Sequence, residues 1–145
     1  MFAHILMPTD GSKHSEAAIV KGMRFAKEAN ATVTGICVVP KFHLMTVETM
    51  AVTDTKETYL ADARARAERF LATMHKAAAE EQVPFSSLVE VSDRPYEVIA
   101  TTAESKGCDL ILMASHGRDG MQGLLLGSVT QKVLSHSKIP VLVYR

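Results

Sequence analysis

The chain has 145 residues, of which 47% are hydrophobic and 22% are charged, and its sixteen basic residues balance sixteen acidic ones. This length fits one domain, and the neutral balance argues against a broad electrostatic surface for nucleic acid or anionic lipid. No segment approaches the roughly 18 apolar residues of a membrane-spanning helix, and the first twelve residues lack the features of a signal peptide. We therefore expect one cytoplasmic domain over 1–145 that binds neither nucleic acid nor membrane.

Short apolar runs alternate with longer amphipathic stretches along the whole chain. Strands are predicted at 4–8, 32–40, 85–91, 109–114 and 140–144, and helices at 15–30, 55–81, 95–106 and 128–136. Strictly alternating strands and helices, with strands apolar on both faces, imply a parallel sheet covered by helices on each side. Right-handed crossovers then give a Rossmann-like, doubly wound α/β sheet. We expect its five strands in the order 3-2-1-4-5.

Two groups of residues are expected to serve packing. The apolar positions of the long helix recur at spacings of three and four, which predicts one buried face: Leu60, Ala63, Ala67, Phe70, Met74 and Ala77. The two cysteines, Cys37 and Cys108, lie in or beside apolar runs without metal spacing or a C-x-x-C pair. We expect them to be buried, reduced thiols.

The loop after strand 4 is rich in glycine. In a doubly wound sheet ligands bind at the carboxyl ends of the strands where the strand order reverses, so the loops after strands 1 and 4 are the places to search. The stretch ASHGRDGMQGLLLGS carries Gly117, Gly120, Gly123 and Gly127, followed by Ser128. Glycines let the backbone approach a ligand closely, and a helix N-terminus offers unpaired N–H groups. The N–H groups of Gly127, Ser128 and Val129 could therefore point at a phosphate; the alternative is a surface loop that ends in a serine N-cap.

The loop after strand 1 is the second candidate. Its sequence, MPTDGSKHS, places Asp10 at the carboxyl end of the strand, where a carboxylate could accept hydrogen bonds from a ribose or a base. The alternative is an Asp-Gly turn that caps the first helix. Neither the P-loop pattern nor the dinucleotide pattern G-x-G-x-x-G is present, so a phosphate site would be of another kind.

Three stretches together resemble the nucleotide-binding branch of the universal stress protein family: PTDGS, DLILMASHGRDGMQGLLLGSVTQKVL and IPVLVYR. That branch has the motif G-x2-G-x9-G-[ST], and here Gly117, nine residues and then Gly127 and Ser128 match most of it. The first position of the motif is Ala114. Its extra methyl is expected near the ribose or phosphate, where it would affect affinity more than the fold.

The resemblance implies a set of binding residues. Pro8, Thr9 and Asp10 would border adenine and ribose, Val38 would lie against adenine, Met113 and Ala114 near the nucleoside, and Gly117, Gly127, Ser128 and Val129 at the phosphates. Gly120 belongs to the same loop, and the Arg118 guanidinium would either bind phosphate bidentately or be solvated. His116 has no nucleophile paired with it in the motif, so we expect a structural or phosphate-edge role and no catalytic residue.

The family resemblance implies a regulatory or sensor protein of the stress response that binds ATP, AMP or ADP, with Mg²⁺ held by the phosphates. It also implies a homodimer that pairs the strand at 140–144, which would cover an apolar sheet edge. The apolar segment 41–58 is expected to be a flap over the nucleotide, a subunit contact or a locally packed loop. Alternatives are a slow Mg²⁺-dependent ATPase or self-phosphorylating enzyme, and a nucleotide-free protein that acts through protein contacts. An ATP-pyrophosphatase ranks low because S-G-G-x-D-S is absent.

Overall fold

The structure, a computed structural model, describes residues 1–43, 55–116 and 126–145. Within these ranges five strands alternate with four helices along the chain. The elements are β1 (His4–Pro8), α1 (Lys13–Glu28), β2 (Thr32–Val39), α2 (Lys56–Glu81), β3 (Phe85–Val91), α3 (Pro95–Ser105), β4 (Leu110–Ala114), α4 (Ser128–His136) and β5 (Val141–Tyr144).

The five strands form one parallel sheet in the order β3-β2-β1-β4-β5, as predicted. The chain moves outward from β1 through β2 to β3 and then returns to the other side of β1 at β4. The strand order therefore reverses between β1 and β4, where Ile5 pairs with Leu110 and Leu6 with Ile111. In sheets of this kind that reversal opens a crevice at the carboxyl ends of the strands.

Helices cover both faces of the sheet because the central strands are apolar on both sides. Alternate residues of β4 separate the two layers: Leu110 and Leu112 pack with α1 and α2, whereas Ile111 and Met113 pack with α3 and α4. The edge strands β3 and β5 are half-exposed, so the expectation of two apolar faces holds only for the inner strands. None of the helices in the described ranges is long and apolar enough to cross a membrane.

The start of α1 differs from the prediction by two residues. The helix begins at Lys13 because the Ser12 hydroxyl accepts a hydrogen bond from the Ser15 N–H at 3.1 Å and so caps the first turn. It ends at Glu28, and Asn30 then turns the chain with φ 55°. Asparagine tolerates this left-handed conformation better than most residues do.

The buried face of α2 is displaced from the predicted stripe. Ala63, Ala67 and Met74 are buried as expected, whereas Leu60, Phe70 and Ala77 are only half-buried. Leu71 and Ala78 take the remaining core positions. The displacement leaves Phe70 at the margin of the core, where it reaches a loop of the candidate site.

Both cysteines are buried thiols that form no disulfide bond within the described residues, as predicted. Burial, followed by the nearby charge of Asp109, raises the pKa of the Cys108 thiol to about 11. The thiol is therefore protonated near neutral pH and is a poor nucleophile.

Asp109 joins the amino ends of β1 and β4. Its carboxylate accepts hydrogen bonds from the backbone N–H groups of Ala3 at 2.8 Å and His4 at 3.0 Å. Desolvation acts to raise the pKa of Asp109, but these N–H groups and the nearby His4 outweigh it, so the pKa is lowered. The contact holds together the two strands that flank the reversal.

Candidate functional site

The loop after β1 is held by hydrogen bonds of its own side chains. Asp10 Oδ1 accepts from the Ser12 N–H and from the Ser15 hydroxyl, both at 2.9 Å. The buried Thr9 hydroxyl accepts from the Gly11 N–H at 3.1 Å. The predicted Asp-Gly turn at Asp10 is therefore real, but Ser12 and not Asp10 is the N-cap of α1. The turn also fixes the carboxylate at the carboxyl end of β1, where the binding hypothesis needs it.

Gly11 is required at its position in this loop. Its φ of +77° lies in the left-handed region, and a Cβ there would overlap the tip of the Phe70 ring. Phe70 thus lies directly against the backbone next to Asp10. No local pattern indicated this contact, because it joins residues 59 positions apart.

The end of β4 is tied directly to the start of α4. The Gly127 N–H donates to the Ser115 carbonyl oxygen at 2.6 Å. The Thr130 hydroxyl donates to the Ala114 carbonyl oxygen at 3.0 Å. These two bonds bring the first turn of α4 against the carboxyl end of β4, beside the reversal of strand order.

The first turn of α4 corrects two expectations. Gly127 is the N-cap, with φ −68° and ψ 161°, and Ser128 is the first helical residue, so the serine N-cap alternative is wrong. The Gly127 N–H is engaged by Ser115, so it is not aimed at a phosphate as expected. The first bond within the helix is donated by Gln131 to Gly127, so the N–H groups of Ser128, Val129 and Thr130 have no acceptor within the helix. Such groups at a helix N-terminus can bind an anion.

His116 links the two sides of the crevice. Its ring lies 5.9 Å, centroid to centroid, from the ring of His14 in the first turn of α1. Its Nδ1 lies 3.0 Å from the hydroxyl of the buried Ser115. The residues after β4 and the start of α1 are therefore neighbours, and His116 has a hydroxyl partner that the motif did not indicate.

Three further predicted residues lie toward the carboxyl ends of the inner strands. Val38 is half-buried near the end of β2, and Met113 and Ala114 are buried at the end of β4. Ala114 is 8% exposed, so most of its methyl is covered by protein. Strand alternation places it on the face of Leu112, on the side of the sheet that α1 covers.

Pro8 ends β1 and is half-buried. The fold places a group of predicted residues together at the carboxyl edge of the sheet: Pro8, Thr9, Asp10, Val38, Met113, Ala114 and His116. Gly127, Ser128 and Val129 join them through the contacts of α4. The predicted residues Gly117, Arg118 and Gly120 lie outside the described residues.

The described start of the segment 41–58 is anchored beside β3. Asp93 accepts from the Lys41 N–H at 3.0 Å and lies 2.7 Å from His43 Nε2. Desolvation acts to raise the pKa of Asp93, but the bonds and charges of Lys41 and His43 lower it overall.

Phe42 contacts Tyr59 of α2, with ring centroids 5.6 Å apart. Residues 44–54, on which the flap hypothesis depends, lie outside the described ranges.

The donor set fits a nucleotide better than a metal bound by protein alone. Among the described residues no group of three or more His, Cys, Asp or Glu side chains could hold a metal ion. Three backbone N–H groups at a helix N-terminus suit phosphate oxygens, and an oriented carboxylate suits ribose hydroxyl groups. A magnesium ion at this site would take its ligands from phosphates and water.

This fold places the chain among the open, doubly wound α/β proteins, with its candidate site at the reversal of strand order. The model of the universal stress protein family matches residues 1–145. A universal stress protein of Thermus aquaticus is 32% identical over 149 residues that cover all of both chains. The chain belongs to the universal stress protein family.

Solved structures of other universal stress proteins share the fold. The structure of MJ0577, a universal stress protein of Methanocaldococcus jannaschii, has a TM-score of 0.83 and 28% identity, and the match covers 99% of this chain and 95% of that one. A local match to the same protein is 47% identical over 51 residues, which is 35% of this chain and 32% of the relative. A universal stress protein solved in complex with cAMP has a TM-score of 0.71 at 20% identity, over 99% of this chain and 97% of that one.

Proposed function

We propose that this universal stress protein is a cytoplasmic regulatory protein of the stress response that binds ATP, or another adenine nucleotide, with Mg²⁺. One observation carries the proposal: the N–H groups of Ser128, Val129 and Thr130, which have no acceptor within the helix, begin α4 beside the reversal of strand order, and the oriented Asp10 carboxylate follows β1 on its other side. A universal stress protein of the same fold was solved with cAMP, which supports an adenine ligand.

Each predicted residue has a role in this proposal. The N–H groups at the start of α4, together with the Ser128 hydroxyl, bind phosphate, and the helix dipole adds about 0.3–1 kcal/mol. Asp10 accepts hydrogen bonds from the ribose, because a carboxylate can accept several at once. Pro8, Thr9, Val38, Met113 and Ala114 border the nucleoside. His116, Gly117, Arg118, Gly120 and Gly127 border or shape the phosphate side.

A proline at the first position of α4 tests the proposal. Ser128→Pro removes one N–H and the hydroxyl, yet proline is favoured at this helix position. The preceding Gly127 already has the extended backbone that a following proline demands. We expect the wild type to release an adenine nucleotide on denaturation, detected by mass spectrometry, and the emptied protein to bind MgATP at one per chain. Ser128→Pro is expected to weaken binding about tenfold or more, a loss of about 1.4 kcal/mol.

A matched control separates lost phosphate contacts from a general effect of proline. Lys56→Pro makes the same change at the first residue of α2, whose N-cap Thr55 is also extended, with φ −85° and ψ 164°. This control should bind MgATP within about twofold of the wild type. Absence of any nucleotide together with no binding at millimolar MgATP would contradict the proposal and favour the nucleotide-free alternative.

We propose that the protein is a homodimer through β5. This strand pairs with β4 on one side, and in the described part of the chain nothing pairs with its other edge. Leu142 is 42% exposed on it and, with Tyr144, lines an apolar groove of about 220 Å³ against α1. A second copy would cover this row of unpaired backbone groups and apolar side chains.

A slow ATPase or self-phosphorylating enzyme is the second candidate, favoured by the contact between the Ser115 hydroxyl and His116 Nδ1. A neutral imidazole can accept a proton from a hydroxyl that attacks phosphorus, and Asp10 is the other group that could orient water. Mg²⁺-dependent release of ADP that Asp10→Ala abolishes would support this candidate. Hydrolysis no faster than in a boiled sample would exclude it.

A further inference from the structure

We propose that Phe70 of α2 is a positioning residue for the candidate site, which acts on the nucleotide through the loop that carries Asp10. The inference rests on the proposed function, and it extends the site to a helix that the glycine motif does not include. The contact between the Phe70 ring and the backbone of Gly11 is the observation behind it.

The loop between β1 and α1 is held by its own hydrogen bonds, by the bond from the Thr9 N–H to the Ile36 carbonyl oxygen and by this ring. Gly11 lies between Asp10 and Ser12, and its positive φ brings its Cα against the tip of the ring. Any movement of Gly11 toward α2 would therefore collide with Phe70. The ring therefore restrains the turn in which the Ser12 N–H donates a hydrogen bond to Asp10 Oδ1 at 2.9 Å.

Phe70 is placed to support the loop between β1 and α1 more than to fill the core. It is half-buried and packs at the margin of the core cluster, while Leu71, the next residue, is buried at 2% exposure. The helix that carries Phe70 is also held near its start, where Tyr59 contacts Phe42 after β2. Two contacts thus join α2 to the carboxyl edge of the sheet, and the one at Phe70 reaches the candidate site.

Phe70→Leu tests the inference, because leucine keeps an apolar side chain but cannot reach Gly11 with a flat ring. We expect the hydrogen exchange of the Ser12 amide, measured by NMR without ligand, to become about tenfold faster, since its bond to Asp10 opens more often. The Kd for MgATP is expected to rise about tenfold.

Phe85→Leu is the matched control. Phe85 is also half-buried against the same core cluster, but it begins β3 at the opposite edge of the sheet, where it stacks on His75 with centroids 5.8 Å apart. It should lose comparable stability while the Ser12 exchange and the Kd change less than twofold. Equal effects of the two substitutions would overturn the inference, because Phe70 would then act only through general stability.

A double-mutant cycle with Asp10→Asn identifies the path of the effect. If Phe70 acts through Asp10, its substitution should change the Kd less than twofold once Asp10 is already replaced. Additive effects would overturn this path. Failure of the wild type to bind MgATP would contradict the proposed function alone. In that case the hydrogen exchange of the Ser12 amide in Phe70→Leu still tests whether Phe70 positions the loop. Unchanged exchange would overturn the positioning role.

Discussion

Single side chains at the two edges of the sheet have different tasks. At the amino edge, Asp109 and Cys108 have altered pKa values, whereas at the carboxyl edge Ser12 and Ser15 orient Asp10, the residue that we propose binds the ribose. The two aspartates differ in their hydrogen-bond partners. Asp109 accepts two backbone N–H groups that fix neighbouring strands, while Asp10 accepts hydrogen bonds from Ser12 and Ser15 in the turn that follows it.

The Asp109 carboxylate should make the stability depend on pH. Its folded pKa lies below its unfolded value of about 3.9, so its contribution is present above that value and is lost as the pH falls through the folded pKa. Asp109→Asn is expected to lower the free energy of unfolding by about 1–2 kcal/mol at pH 7, measured with urea. The difference should shrink below about pH 4. The exposed Asp62→Asn is the control, and a difference that grows on acidification would refute the assignment.

The Cys108 thiol should react only after unfolding. Its pKa of about 11 and its burial leave little thiolate at pH 7 to 8. A thiol reagent such as Ellman's reagent is expected to modify it at the rate of unfolding in native buffer and within seconds in denaturant. Mass spectrometry would locate the modified cysteine. Rapid modification of Cys108 in the native protein would contradict both the burial and the raised pKa of this thiol.

The sequence predicted whole elements well because their signals are local. Pro95 begins α3 and Gly107, with φ +68°, follows its end, both as expected from backbone preferences. The start of α1 was predicted two residues late, at Ser15, because the hydroxyl of Ser12 caps a helix that begins at Lys13. Local patterns thus locate an element and leave its first residues to the tertiary structure.

The contacts that shape the site could not be predicted in this way. The bond from the Gly127 N–H to Ser115 and the contact of Phe70 with Gly11 join segments that meet only after the sheet has formed. The pattern in α2 indicated that Phe70 is apolar and faces inward. It did not show which side of the stripe lies over the core and which lies over a loop.

The end of α2 offers a test of element-scale strain. Its C-cap, Gln82, is left-handed, with φ 60° and ψ 38°, a conformation that costs free energy for a residue with a Cβ. Gln82→Gly is expected to raise the free energy of unfolding by about 0.4–1 kcal/mol, measured with urea. Asn30→Gly, at φ 55°, should gain less because asparagine tolerates this region. A loss of stability in Gln82→Gly would contradict the account.

At the scale of the whole molecule, the edge of β5 that pairs with no strand in the described ranges is the dimer interface that we propose. A charge at Leu142 would lie in the proposed interface, where a second copy cannot solvate it. Leu142→Lys is expected to convert the dimer to a monomer in light scattering after size exclusion, with circular dichroism unchanged. Leu134→Lys, an equally exposed position at 42% on α4, should leave the dimer intact. A monomeric wild type at high micromolar concentration would refute the interface.

The central claim is that an adenine nucleotide binds across the reversal of strand order, between the loop after β1 and the start of α4. The most direct measurement is an NMR titration of the emptied, ¹⁵N-labelled protein with MgATP, in which backbone amide shifts are followed residue by residue. We predict saturable shifts that are largest at Ser128, Val129 and Thr130, together with shifts at Asp10 and Ser12. Saturable shifts confined to other surfaces, or no shifts at millimolar MgATP, would contradict the account.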